Sequence, residues 1–146
     1  MEIRYIPREE ITAAQQEMLD GIELTCFGFS SAERLANTEE GYPFADDIGA
    51  FPLLDDDQIA RNAFVYKRQS EYDGQSYCLG GLGGLAILPG CRGKGHARQL
   101  AEKTLRMCYD IGVDIACLFM DREDSLSKFY ESLGYAFIDR RGYYFD

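Results

Sequence analysis

A segment of basic residues and glycines past the middle of the chain has the composition of an anion-binding loop. It reads Arg92-Gly93-Lys94-Gly95-His96-Ala97 and follows an apolar run, Leu85-Ala86-Ile87-Leu88, and a proline. Glycines let the backbone turn tightly and let a phosphate approach main-chain N–H groups. The first turn of a helix adds unpaired N–H donors and the positive end of its dipole. A strand, a glycine-rich turn and a helix start in this order therefore predict a pyrophosphate site to which Arg92 and Lys94 contribute positive charge.

Spacing excludes two other phosphate-binding loops. A P-loop needs four residues between its glycines and a lysine followed by Ser or Thr, and both are missing. The dinucleotide-binding pattern needs a third glycine where Arg98 stands. A tight strand–helix connection with incidental basic residues is the remaining alternative to a pyrophosphate site.

The hydrophobic pattern predicts the elements that position this loop. Ser76–Leu88 is expected to be a strand, and apolar residues recur at helical spacing from His96 onward. The continuous apolar run Ile115–Met120 is typical of a strand buried on both faces. Leu126–Leu133 gives another helix face, which ends at Gly134. The strand, the helix and the following parallel strand form a right-handed crossover unit.

The other elements extend this sheet. They are a strand over residues 2–6, a helix with capping-box spacing at Thr12 and Gln15, a second helix from Ser30, strands over 50–54 and 59–67, a hairpin turn at Asp73-Gly74, and closing strands over 135–139 and 143–145. In the first helix, Ile11, Ala14, Met18 and Ile22 recur on one face. The irregular stretch Asn37–Gly49 is long for a connection, which fits a substrate-facing loop.

Four glycines interrupt the predicted strand before the anion-binding loop. They are Gly80, Gly81, Gly83 and Gly84. Glycines inside a strand mark either a bulge or a close approach by other backbone or a ligand, or else simple crowding against a neighbouring element. The sequence leaves both interpretations open.

Composition narrows the class of protein. A formal net charge of −10 argues against nucleic-acid binding and favours cationic small molecules near the surface. Five scattered cysteines and one histidine support neither a metal site nor a disulfide framework. Cys91 is the one thiol whose cationic neighbours could raise its reactivity. No apolar run reaches the roughly 20 residues needed to cross a bilayer, so no membrane association is expected and the cytosol is the default.

The anion-binding loop resembles the cofactor loop of the GNAT acyltransferases, Arg/Gln-x-x-Gly-x-Gly/Ala. A second stretch, Phe129-Tyr130-Glu131-Ser132-Leu133-Gly134-Tyr135, resembles the Phe-Tyr-Glu-x-Leu-Gly-Phe helix end of the same family. The two motifs and their flanks cover the chain from Ser76 onward. The element order in the N-terminal half is loosely similar to that of aminoglycoside-type acetyltransferases.

The resemblance implies a fold and a cofactor. We expect one GNAT-like domain over residues 1–146, an α/β fold with a mixed, mostly antiparallel central sheet of about seven strands and helices on both faces. Acetyl-CoA would lie between the glycine-interrupted strand and Ile115–Met120, with no metal involved. The residues assigned to the cofactor are Leu85, Ala86, Ile87, Arg92, Gly93, Lys94, Gly95, His96 and Ala97. His96 is expected to contribute its backbone N–H rather than its imidazole.

The resemblance also implies a reaction, the direct transfer of an acetyl group to a primary amine of a small, cationic acceptor. Tyr130 matches the position of the general acid that protonates the departing CoA thiolate, while its alternative is a half-buried core aromatic. The family often carries a carboxylate base where Gly83 or Gly84 stands here. The candidates to replace it are Glu23, Asp46, Asp47 and Asp146, or the amine loses its proton to water.

A non-catalytic acyl-CoA-binding regulatory module is the alternative function. The missing strand carboxylate favours that alternative, and Tyr130 counts against it. The acceptor, the acyl chain length and the oligomeric state are left open, with a homodimer as one option.

Overall fold

The described residues, 2–28, 47–55, 58–118, 120 and 124–137, form one six-stranded sheet with helices packed on it in this computed structural model. The strands are β1 (Ile6–Pro7), β2 (Asp47–Ala50), β3 (Leu53–Asp55), β4 (Gln58–Tyr72), β5 (Gln75–Ile87) and β6 (Ile115–Cys117). The helices are α1 (Ala13–Phe27), α2 (His96–Asp110) and α3 (Asp124–Glu131), and short 3-10 turns cover Arg8–Glu10 and Pro89–Cys91.

The sheet is mixed and mostly antiparallel, as predicted. Its strand order is β1-β2-β4-β5-β6, and β3 pairs with β4. Every pair is antiparallel except β5 and β6, which are parallel and joined through α2. This connection is the predicted crossover unit.

Several predicted strand boundaries are wrong. The strand expected over 2–6 is only β1 at Ile6–Pro7 with an isolated bridge at Ile3, and Asp47–Gly49, expected in a loop, belong to β2. The strand expected over 50–54 is divided into β2 and β3, which pair with different parts of β4. The described sheet has six strands, with the divided strand counted as two, and residues 135–137 of the strand expected over 135–139 are not in a strand. The last predicted strand lies outside the described residues, as do the second helix from Ser30 and all of the Asn37–Gly49 loop before residue 47.

Helix α1 begins and ends as its sequence predicts. The Thr12 hydroxyl accepts from the Gln15 N–H, the Gln15 side chain accepts from the Thr12 N–H, and Gly28 ends the helix in the left-handed region at φ 79°. Its buried residues are Leu19, Ile22 and Glu23, whereas Ala14, expected on the same face as Ile22, is exposed. Ile11 and Met18 pack against the cluster that contains Ile22, so three of the four residues predicted to share a face do so, and Ala14 is the exception.

Helices cover both faces of the sheet, as predicted. On one face, Leu19 and Ile22 of α1 pack with Phe64 and Ala86. On the other face, Leu100, Ala101 and Cys108 of α2 form a cluster with Val65 and Leu82. The aromatic residues Phe129 and Tyr130 of α3 pack against this second cluster.

The glycines of β5 serve both purposes that the sequence left open. Between the pairs Asn62–Ala86 and Phe64–Gly83, β5 contains one more residue than β4, which is a β-bulge, and Gly84 within it has φ 54°. Gly81 lies where the backbone of β6 comes close to β5. A Cβ added there would overlap the carbonyl oxygen of Cys117 on β6. The bulge and the crowding therefore occur a few residues apart on one strand.

The prediction that Ile115–Met120 is buried on both faces is wrong for the described part. Only Ile115–Cys117 is a strand, and Ile115 is 49% exposed. Leu118, directly after the strand, does pack against the cluster beneath α2. An apolar run gives the composition of a strand, but it carries no information on how far the flanking helices extend over it.

Two Gly→Ala substitutions are expected to have opposite effects on stability. Gly81→Ala should lower the free energy of unfolding by about 1–3 kcal/mol, because β5 and β6 must separate to admit the methyl group. Gly21→Ala, inside α1 with no atom within 4 Å of the added Cβ, should raise it by about 0.5–1 kcal/mol. Urea unfolding of both variants measures the difference. A Gly81→Ala variant as stable as the wild type would contradict the close β5–β6 approach.

Candidate active site

A cleft lies along the end of β5, beyond the residues that pair with β6, and none of the described residues of Ile115–Met120 lines it. The two strands pair only at Leu79–Ile115, Gly80–Ala116 and Gly81–Cys117. Beyond Gly81, β5 contains the bulge at Gly84 and continues to Ile87. In this part of β5 the backbone forms no ladder hydrogen bonds with β6. Backbone groups on such an edge can bond to a ligand that lies along the strand.

The cleft has a volume of about 360 Å³ and is lined by Tyr130 and by all nine residues that the sequence assigned to the cofactor, but by none of the four candidate bases. This volume lies within the range of small-molecule sites. Its lining consists of Cys26, Phe27, Leu85, Ala86, Ile87, Cys91, Arg92, Gly93, Lys94, Gly95, His96, Ala97, Leu126, Phe129 and Tyr130.

The anion-binding loop, Arg92–Ala97, has a backbone that requires its glycines. Gly93 and Gly95 lie in the left-handed region at φ 79° and 75°, where a side chain would be strained. The space above both is open, with no heavy atom within 4 Å of an added Cβ. Gly95 is also the N-cap of α2 and offers no side-chain acceptor to the N–H donors of the first turn. The backbone therefore fits a phosphate group at the helix start.

Arg92 is anchored beside this helix start. Its Nε donates to the carbonyl oxygen of Ile87 at 3.1 Å, and that bond does not use its Nη groups. The Sγ of Cys26, at the end of α1, donates to the same carbonyl at 3.5 Å. The carbonyl oxygen of Ile87, at the end of β5, therefore accepts hydrogen bonds both from the end of α1 and from the start of the anion-binding loop. Arg92 and Lys94 are both exposed and can meet a charged ligand, and His96 is half-buried as the first residue of α2.

Tyr130 reaches the cleft from α3. Its ring packs edge-on against Phe129 and Tyr135, with centroids 5.0 Å and 5.9 Å apart. Burial raises the pKa of Tyr130 above its ordinary value of 10.0, so the hydroxyl keeps its proton throughout the neutral range. A protonated phenol in a cleft can donate a proton, whereas a phenolate cannot.

Arg98 holds α3 against the start of α2, a role that the sequence did not predict. Its Nη2 donates to Ser132 Oγ at 2.6 Å, and its guanidinium lies 5.8 Å from the centre of the Phe129 ring. The neighbour of Phe129 is Tyr130, so the first turn of α2 contacts the end of the helix that carries the tyrosine. In the sequence, Arg98 is notable only because it occupies the position of the third glycine of a dinucleotide-binding loop, and that gives no indication of a contact with α3.

Cys26 and Phe27 are two further lining residues that sequence analysis did not assign to the site. They lie at the end of α1, about sixty residues before β5 ends, and nothing in their spacing indicates the contact. Cys91, noted for its cationic neighbours, also lines the cleft.

The four carboxylates considered as a base are placed differently. Glu23 is buried on α1 and lies next to Gly84. Asp47 begins β2, while Asp46 and Asp146 lie outside the described residues. Among the described residues, no group of three or more His, Cys, Asp or Glu side chains could hold a metal ion. Within the same residues, no helix is long and apolar enough to cross a membrane.

Solved structures with the same fold cover the whole chain. AAC(6')-Iy, an aminoglycoside N-acetyltransferase in complex with a CoA–acetylneamine bisubstrate analogue, matches with a TM-score of 0.70 and 23% identity over 99% of this chain and 97% of that one. The aminoglycoside 6'-N-acetyltransferase AAC(6')-IG of Acinetobacter haemolyticus matches with a TM-score of 0.67 and 18% identity, over 100% and 98%. Glucosamine-6-phosphate N-acetyltransferase of Arabidopsis thaliana matches with 0.64 and 17%, over 100% of both chains.

A search of curated proteins finds no significant match to the sequence. The family model described as an acetyltransferase (GNAT) domain matches residues 10–138. That match spans most of the chain and includes the anion-binding loop, the bulged strand and Tyr130. The chain therefore belongs to the GNAT family of acetyltransferases, enzymes that take their acetyl group from acetyl-CoA.

Proposed function

We propose that residues 1–146 form a single acetyltransferase domain that moves an acetyl group from acetyl-CoA to a primary amine of a small, cationic acceptor. The observation that carries this proposal is the cleft itself. It brings an anion-binding helix start, a free strand edge and a protonated tyrosine together in one cavity of about 360 Å³. These groups can bind, in order, the phosphates of CoA, its pantetheine amides and its departing thiolate.

The cofactor side of the cleft divides into two parts. Arg92, Lys94 and the backbone N–H groups of Gly93–Ala97 bind the pyrophosphate, since a helix start and positive side chains both favour anions. The backbone of Leu85, Ala86 and Ile87 bonds to the pantetheine amides along the strand edge. A backbone N–H of the bulged strand steadies the oxyanion that develops when the amine attacks the thioester.

Tyr130 acts as the general acid. The amine nitrogen forms a bond to the thioester carbon, the carbon–sulfur bond breaks, and the departing sulfur takes the phenolic proton. The hydroxyl carries its proton at the pH of the reaction, as an ordinary tyrosine does, and burial keeps it protonated.

The acceptor is proposed to be cationic because of charge. The chain carries a formal net charge of −10, and a negative field raises the local concentration of cations and repels anions. Aminoglycosides, the substrates named for two of the similar structures, are polyamines of this kind. Glucosamine 6-phosphate, named for a third, is an amine that also carries a phosphate, and the charge of this chain disfavours it.

The competing function is a regulatory module that binds acyl-CoA without turning it over. Only the glycines at 83 and 84, where a strand carboxylate could stand, favour it.

We also propose that the enzyme is located in the cytosol. Its five cysteines are all free thiols, as is usual in that compartment, and the acetylation of an amine needs a supply of acetyl-CoA.

Ligand stabilisation tests the cofactor assignment. Acetyl-CoA or CoA at a hundred times its dissociation constant should add about 2.7 kcal/mol to the free energy of unfolding and raise Tm, whereas ATP and NAD should not. Initial rates are then compared among a monoamine, a polyamine, an aminoglycoside and an amino sugar phosphate. We expect kcat/KM to rise with the positive charge of the acceptor and to fall with salt. Binding of acetyl-CoA without acetylation of any amine would favour the regulatory module.

A further inference from the structure

Two exposed apolar side chains line the cleft from different helices. Phe27 is the last residue of α1 and is 41% exposed, and Leu126 lies on α3 and is 37% exposed. We propose that these side chains hold the pantetheine arm of acetyl-CoA between them, with Phe27 against the branched carbon of the arm that carries a pair of methyl groups. This inference rests on the proposed function and adds an uncharged binding surface to it.

Phe27 lies at the phosphate end of the cleft. The Sγ of its neighbour Cys26 donates to the carbonyl oxygen of Ile87 at 3.5 Å, and Nε of Arg92 donates to the same oxygen at 3.1 Å. The last turn of α1 is therefore close to a cation that is assigned to the pyrophosphate. In CoA, a single methylene and an oxygen separate the branched carbon from the pyrophosphate. The part of the arm that comes nearest to Phe27 is thus its most apolar part.

Leu126 forms the other wall together with Tyr130. These residues are four positions apart on α3, which places them beside each other on the helix surface, and both line the cleft. Helix α3 packs with the cluster beneath α2, whereas α1 packs on the opposite face of the sheet. An arm that runs from the anion-binding loop to a sulfur beside Tyr130 therefore passes between a wall from α1 and a wall from α3.

The core does not account for either side chain. Cys26 and Tyr130 pack against the core clusters of the described residues, but Phe27 and Leu126 do not belong to these clusters or pack against them. Phe27 has an interaction of its own, and it still leaves 41% of its surface accessible. Because apolar surface gains free energy when it leaves water, a ligand that covers these side chains binds more tightly.

Charge favours the cofactor over the acceptor as the occupant of this surface. Among the described residues that line the cleft there is no carboxylate, and Arg92 and Lys94 are positively charged. The guanidinium of Arg92, near Phe27, would repel a cationic acceptor, whereas the pantetheine arm is uncharged. The cleft thus has a charged part followed by an apolar part, and CoA has the same two parts in the same order.

Phe27→Ala should raise the dissociation constant of CoA by roughly 3- to 10-fold, since the ligand then covers less apolar surface. The KM for acetyl-pantetheine should rise by a similar factor, because this truncated donor keeps the arm. The affinity for the nucleotide fragment of CoA, which keeps the phosphates and lacks the arm, should stay within about twofold of the wild type. Leu126→Ala should act in the same way, and Phe27→Leu should recover most of the affinity for CoA. Isothermal titration and initial rates measure these effects.

Leu24→Ala is the matched control. Leu24 lies on the same helix as Phe27, is 43% exposed and is absent from the cleft lining. The substitution removes an apolar side chain of similar exposure, but it should leave the affinity for CoA within about twofold of the wild type. Thermal unfolding of the variants without ligand compares their stability.

Three outcomes overturn the proposal and leave the proposed function intact. The first is an unchanged affinity for CoA in Phe27→Ala or in Leu126→Ala. The second is an equal loss of affinity for CoA and for its nucleotide fragment, which would mean that Phe27 acts on the phosphates through the last turn of α1. The third is a higher KM for the amine with an unchanged affinity for CoA, which would assign Phe27 to the acceptor. A wild-type protein that binds no CoA would instead overturn the proposed function itself.

Discussion

Tyr130→Phe is expected to lower kcat by roughly 10²–10⁴-fold while acetyl-CoA still binds, since a positioned general acid contributes about this much to a rate. The substitution removes only the hydroxyl and keeps the ring that packs edge-on against Phe129. Acetylation rates together with acetyl-CoA affinity separate the loss of a proton donor from the loss of a binding site. A variant that turns over at the wild-type rate would show that Tyr130 is a core aromatic.

The pH dependence gives a second readout for Tyr130. Burial raises its pKa above 10.0, so the hydroxyl is protonated below that pH and loses its proton only above it. The wild-type rate should therefore show no decline from this group between pH 7 and about 10. A decline that starts in this window and disappears in Tyr130→Phe would contradict the raised pKa.

Tyr135 provides a matched control. Its ring lies 5.9 Å from that of Tyr130, and its hydroxyl is buried without a hydrogen-bond partner among the described residues. Tyr135 is absent from the cleft lining, and burial raises its pKa too. Tyr135→Phe should therefore keep the wild-type rate and leave stability unchanged or improved, since it removes an unsatisfied polar atom.

The double variant Arg92→Gln, Lys94→Gln is expected to weaken CoA binding by roughly 10²–10⁴-fold, because each charge-assisted hydrogen bond contributes about 1.5–3 kcal/mol. The backbone N–H groups of the loop remain, so binding is reduced and not abolished. Isothermal titration of CoA measures the loss, and the wild-type affinity should also fall more steeply with salt than that of the variant.

Acetyl-pantetheine distinguishes phosphate binding from a general disturbance of the cleft. It has no phosphates, so kcat/KM for this truncated donor should be the same in the wild type and in the double variant. Arg106→Gln is the charge control, since Arg106 is exposed on α2 and its Nε lies 3.2 Å from Oδ1 of Asp110. An equal loss with CoA and with acetyl-pantetheine would mean that Arg92 and Lys94 shape the cleft without meeting the phosphates.

Sequence alone predicted the parts of the site that are local in the chain. The strand, the glycine turn and the helix start at Arg92–Ala97 follow from residues within a dozen positions, and so do the capping box of α1 and the Asp73-Gly74 turn. Each is determined by backbone conformation and short-range hydrogen bonds, which sequence spacing reports directly. The placement of Tyr130 in the same cleft was anticipated only through the family resemblance.

The contacts between distant segments were not predictable. Glu23 was one of four equal candidates for the base, and only the orientation of α1 places it beside Gly84. Apolar spacing identified Ile11, Met18 and Ile22 on the buried face of α1, but it could not predict that Glu23 is buried and Leu24 exposed. The contact of Arg98 with Ser132 joins residues 34 positions apart, and sequence periodicity gives no information about such partners.

The shared hydrogen-bond acceptor at Ile87 has a thermodynamic consequence. One carbonyl oxygen accepts from Arg92 in the anion-binding loop and from Cys26 on the helix that carries Glu23. If phosphate binding shifts this oxygen, the last turn of α1 must follow it, and if amine binding shifts α1, the loop must follow in turn. Because coupling between two binding equilibria is reciprocal, the factor by which CoA changes the affinity for the amine equals the factor by which the amine changes the affinity for CoA.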